Sequence, residues 1–149
     1  MTNHIFEHKE KRIDGYIPIG QPDLKIGQIV WFKYPPSKNN NNPHVLILNS
    51  NFNGLLHGLV VDYMSLLELE RLRNYIIQEA EEVDANTPNN MMESLHALSK
   101  AAETPLTFYE ARLKKYLVSF FSNTSIYRTY KLQNITDIQL TIYNFYKKR

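Results

Sequence analysis

The run PHVLILNS, Pro43 to Ser50, carries four consecutive large aliphatic residues, Val45 to Leu48. In a strand, successive side chains point to opposite faces. A continuous apolar run this short, closed by a proline on one side and asparagines on the other, reads as a strand buried on both faces. That is the strongest constraint in the chain: the sheet holding it must be covered above and below. The next residues, NFNG, supply turn chemistry, because Asn and Gly tolerate positive φ. LLHGLVVDYM (Leu55 to Met64) then reads as a third strand. Gly58 in its middle suggests a bulge or sharp bend, as small barrels need at their corners. Ser65 follows as a helix N-cap, with Glu68 completing a capping box. Leu66, Leu69, Leu72, Ile76 and Ile77 share one face of that helix.

The remaining pattern fits around this centre. Residues 1–23 lack periodicity and contain Gly15, Pro18, Gly20 and Pro22, so they read as an extended arm on a surface. LKIGQIVWFKYPP (Leu24 to Pro36) is rich in β-branched and aromatic residues and reads as the first strand, opened by Gly27 and closed by its prolines. SKNNNNP is a polar loop. A second helix is expected from about Asn90 to Glu103, with Met91, Leu95, Leu98 and Ala102 on its apolar face. A third is expected from Thr107, whose capping box closes on Glu110, to about Phe120. SIYRTYKLQNI (Ser125 to Ile135) alternates like a strand. In DIQLTIYNFYKKR the β-branched content of Ile138, Leu140 and Ile142 favours a strand over a helix.

The order arm–β–β–β–α–α–α–β–(β) implies an α+β fold: a small SH3-like antiparallel β-barrel with a helical insertion and an extended N-terminal arm. One domain is expected over 1–149, with the arm at 1–23, barrel strands at 24–64, the insertion at 65–121 and closing strands at 125–149. A chain of 149 residues, 43% hydrophobic and 21% charged, can bury a core without metals or disulfides. It has no cysteine, which excludes disulfide frameworks, thiol nucleophiles and zinc–thiolate sites. The opening MTNHIFEHKEKRIDG is too polar for a signal peptide, and no window reaches the roughly 18 apolar residues of a membrane span.

Charge is unevenly spread although the total is only +2. Six acids and two arginines between Ser65 and Asp84 leave that segment at −4. Eight bases against Asp137 leave Arg112 to Arg149 at +7. Such asymmetry fits a polyanion-binding face, or a bipolar domain whose faces meet each other or a partner.

Two resemblances bear on function. GQIVWFKYPP, a polar loop and NPHVLIL resemble the opening of the PemK/MazF toxin fold, with its G-D-I-V-W-like strand, basic loop and R-P-x-V-L-I-L-like strand. IYRTYKLQNI is similar to that family's later strand. The match covers about a third of the chain in two pieces and consists mostly of apolar barrel residues. It implies the fold more than the activity. Where the toxins carry a phosphate-binding arginine, this chain has Asn42. Where they carry a catalytic threonine, VVDYMS offers Asp62 and Ser65. RNA cleavage of this type needs a cation at the phosphate and a group that manages the 2′-hydroxyl proton. GLVVDYMSLLELERLR (Gly58 to Arg73) and YRTYKLQNI also resemble segments of small proteins of large contractile-tailed phages. That resemblance implies a virion or assembly component.

Two sets of residues are candidate sites. Tyr127, Arg128, Tyr130 and Lys131 combine bases and aromatics on one strand, the composition used for single-stranded nucleic acid, where rings stack and bases meet phosphates. The plainer alternative is a barrel strand with half-buried tyrosines. His44 and His57, on neighbouring strands, could hold a metal if Asp62 joined them, although strand histidines more often make one structural hydrogen bond. No Ser–His–Asp spacing and no Gly-rich phosphate loop is present. The expectation is a non-enzymatic bacteriophage structural or assembly component of the portal, neck or tail. It would be a protein-binding module among other virion proteins in an oligomer, in the virion or host cytoplasm, with no catalytic residue, metal, cofactor or membrane contact. A PemK/MazF-like endoribonuclease and a nucleic-acid-binding accessory protein stay open as alternatives.

Overall fold

The computed structural model of the chain describes residues 13–35, 42–84, 86, 90–101, 115 and 127–143. The strands are β1 (Ile13–Pro18), β2 (Ile29–Lys33), β3 (His44–Phe52), β4 (Leu55–Val60), β5 (Tyr127–Lys131) and β6 (Thr136–Tyr143). The helices α1 (Leu66–Val83) and α2 (Met91–Ala101) lie between β4 and β5, and single 3-10 turns follow β4 and β5. All strand pairs are antiparallel, in the order β1-β6-β2-β3-β4-β5. Among the described residues the fold is α+β, a curled six-stranded half-barrel sheet carrying two helices.

β3 lies inside the sheet and is covered on both faces, as its run of aliphatic residues requires. Leu46 and Leu48 enter one core with Leu59, Met64, Leu69, Leu72, Ile76 and Leu95, between the sheet and the two helices. Val45 and Ile47 enter a second core with Val30, Phe32, Leu56, Val60 and Tyr130, inside the curl of the sheet. All four β3 residues are fully buried. Each such side chain contributes about 1.5–3 kcal/mol by leaving water, so this one tetrapeptide helps hold both layers to the sheet.

The β3–β4 hairpin turns through Asn53 and Gly54, both at positive φ (54° and 77°). That pair of left-handed residues matches strand twist in a two-residue hairpin. The bulge expected at Gly58 lies instead on the opposing strand. Ile47 pairs with Gly58 and Asn49 with His57, so Leu48 is the extra residue, and a further irregularity follows between Asn49 and Phe52. Gly58 has no positive φ; it is needed for space. A Cβ there would lie 2.3 Å from Val45 Cγ1 and 2.6 Å from the Leu46 carbonyl oxygen.

At one end the curl is drawn together across its interior. The Tyr130 ring stands edge-on to Phe32 and Tyr34, with centroids 5.1 and 4.9 Å away, and the Lys131 amide donates to Tyr34 Oη at 3.1 Å. Several expected boundaries move. The first strand starts at Ile29, because Ile26 and Gly27 form a turn, with Gly27 at φ 90°. The third strand stops at Val60, because Val61–Tyr63 coils into a 3-10 turn. The Tyr127 strand stops at Lys131, before a similar turn at Leu132–Asn134. Residues 13–18 of the arm are an edge strand paired with β6. The α1 capping box forms as expected: Ser65 Oγ accepts from the Glu68 amide and Glu68 Oε1 accepts from the Ser65 amide. Residues 1–12, the polar loop at 36–41, and the expected third helix at 107–120 (Lys115 aside) lie outside the described residues. No helix among the described residues is long and apolar enough to cross a membrane.

Candidate functional site

β3 begins directly after Pro43, so His44 is its first ladder residue. Val45 pairs with Val60, which sets His44 level with the end of β4. There the chain leaves the ladder as a 3-10 turn and brings Asp62 back over the start of β3. Both carboxylate oxygens face His44. Oδ2 accepts from the His44 backbone amide at 2.9 Å, and Oδ1 lies 2.6 Å from Nδ1. A carboxylate only accepts, so Nδ1 carries the proton and the tautomer is set. In the neutral form of that tautomer Nε2 accepts, and Tyr16 Oη lies 3.1 Å from it, placed to donate.

Three distant parts of the sequence therefore meet in one chain of hydrogen bonds, Tyr16–His44–Asp62. The His44 and Asp62 side chains are only 11% and 18% exposed, whereas Tyr16 is 50% exposed. The Tyr16 hydroxyl end is drawn in among the partners. Burial, and then the negative charge of Asp62, raise its pKa above the ordinary tyrosine value. The arrangement has two chemical capacities. It can fasten the edge strand β1 to β3 across the intervening β6 and β2. It also has the form of an acid–base relay, with a carboxylate orienting an imidazole whose second nitrogen meets a hydroxyl.

The other sequence candidates separate. His57 does not join His44; its Nδ1 lies 3.1 Å from Tyr127 Oη, one strand over. Among the described residues no three His, Cys, Asp or Glu side chains gather as a metal cluster. Of the β5 set, Tyr130 is 8% exposed and its ring is packed in the inner core. Tyr127 is half-buried against the helix-side core. Arg128 and Lys131 are the two exposed members of the set. Tyr16 was not among the sequence candidates. The only signal for it was an aromatic within an arm that lacks periodicity.

No protein-family model, curated protein or solved structure matches this chain.

Proposed function

We propose that the curled sheet is an SH3-type barrel and that the protein is a non-enzymatic assembly component, a protein-binding module of the portal, neck or tail of a contractile-tailed phage. One observation carries the non-enzymatic part. Asp62 and Ser65 stand where the PemK/MazF toxins have their catalytic threonine, and both are committed to the fold. Asp62 holds His44 with both oxygens, and Ser65 closes the cap of α1. Asn42, in place of the toxins' arginine, brings no cation to a phosphate. The virion setting is supported by the resemblance of Gly58–Arg73 to phage proteins of this kind.

One observation favours the ribonuclease reading instead. The Asp62–His44–Tyr16 chain ends at a half-exposed residue and has the groups for acid–base work. Expression in a bacterial host separates the two readings. An assembly module lets growth continue at high expression, and it is recovered with other virion proteins when expressed during infection. Growth arrest that His44→Ala relieves, with the protein still accumulating, would overturn the proposal.

A further inference from the structure

The tip of the β3–β4 hairpin is Asn53–Gly54, the only Asn-Gly pair in the sequence. Phe52 and Leu55 pair on either side of it. Both tip residues are exposed, and both have positive φ. An asparagine followed by glycine is chemically labile, because a glycine nitrogen is not shielded by a Cβ and can approach the preceding carboxamide. No heavy atom lies within 4 Å of the place a Gly54 Cβ would take. The Asn53 side chain makes no hydrogen bond to another described residue, so its carboxamide is able to turn onto the backbone.

The same turn restrains the reacting nitrogen. Gly54 N–H donates to Asn51 Oδ1 at 3.2 Å. An amide that donates a hydrogen bond gives up its proton less readily, and this bond also draws the nitrogen toward Asn51. Its length is at the upper end of the range, and Asn51 is exposed, so it slows the nitrogen without locking it. On the other side of the residue, the Leu132 amide donates to the Gly54 carbonyl at 3.0 Å. That bond ties the hairpin tip to the 3-10 turn after β5 and limits the rotation an attack needs.

We propose that Asn53 is a self-modification site, converting to isoaspartate and aspartate in the folded protein at a rate set by Asn51. The Gly54 nitrogen gives its proton to water and attacks Asn53 Cγ. The bond from Cγ to the side-chain nitrogen breaks, and ammonia leaves. The cyclic imide then takes up one water. Opening at the Asn53 main-chain carbonyl leaves isoaspartate, whose backbone runs through the side chain, and opening at Cγ leaves aspartate. One water enters and one ammonia leaves, with no change of oxidation state. Isoaspartate lengthens a two-residue turn that fits the strand twist only as it stands, so the pairing of Phe52 with Leu55 is disturbed. The proposal is independent of the assembly reading, since it needs only the hairpin.

The test incubates the full chain in warm, mildly alkaline buffer, either folded or unfolded in urea. Peptide mapping by mass spectrometry follows Asn53, and enzymatic methylation of isoaspartate identifies the product. Isoaspartate is expected at Asn53 in the folded protein, forming more slowly than in urea. Asn51→Ala removes the acceptor and should speed the folded-state conversion severalfold. Asn51→Asp keeps an acceptor and should convert no faster than the parent. The converted protein, separated by its added negative charge, should melt at a lower temperature. The proposal is overturned if Asn53 stays intact in the folded protein while the urea-treated chain converts, or if folded Asn51→Ala converts no faster than the parent. An unchanged melting temperature after conversion would overturn the effect on the hairpin.

Discussion

Gly58 sits where two strands approach too closely for any other side chain. Its missing Cβ leaves room for Val45 Cγ1 and for the Leu46 carbonyl. A methyl group can be relieved by a rotamer change, but the carbonyl belongs to the ladder and cannot move alone. Gly58→Ala should therefore cost on the order of 1–3 kcal/mol, the usual range for overpacking. Urea unfolding measures it, and an unchanged midpoint would refute the crowding account. Tyr16 gives a second prediction at this scale. Its folded pKa is raised above the ordinary 10.0, so the native state keeps a proton that the unfolded chain has lost. That contribution is complete below about pH 10. It is lost as pH rises from there through the higher folded value. Tyr16→Phe has no such proton, so its stability should fall less steeply on the alkaline side. Matching alkaline limbs for the two proteins would contradict the placement of Tyr16. The site itself was only half legible in the sequence. An unbroken ladder from the Asn53–Gly54 turn would set His44 opposite Tyr63. Two irregularities in β3 shift the register, so Val45 meets Val60 and Asp62 turns back onto His44. Such bulges depend on tertiary packing and leave little trace in periodicity.

The elements were legible where local chemistry decides them. The Asn53–Gly54 hairpin, the two-faced β3 and the Ser65–Glu68 box each follow from a few adjacent residues. Their ends were not legible, because strands stop where a side chain finds a distant partner. Asp62 ending β4 at His44 is one case, and the turn after Lys131 is another. Ser65→Ala should remove the acceptor of the Glu68 amide and cost roughly 0.5–2 kcal/mol. Thermal or urea denaturation checks this, and an unchanged stability would show that the cap contributes nothing. Leu95→Ala, at a fully buried position between α2 and the sheet, should cost about 2–5 kcal/mol. A smaller loss would mean that the α2 layer is only loosely attached.

For the whole molecule, two cores share one sheet, and the hydrogen bonds of Asp62 and Ser65 join separate elements of the fold. The curl of the sheet was legible in broad form from short strands and tight turns. The place of β1 beside β6 was not, since an edge strand with Gly15, Pro18 and mostly exposed side chains has no periodic signature. Charge is the open property at this scale. Arg128 and Lys131 are exposed on the edge strand β5, but the tyrosines beside them are packed. Binding of a single-stranded polyanion should therefore be weak and should fall steeply with salt. Tight binding that survives physiological salt and is abolished by charge reversal at both positions would support the nucleic-acid class instead. The most direct measurement is RNA cleavage by the purified protein, compared with His44→Ala. If His44 is a fastener, the parent cleaves no faster than buffer, and His44→Ala lowers the melting temperature. Cleavage that disappears in a folded His44→Ala protein would make Tyr16–His44–Asp62 an active site and contradict the assembly account.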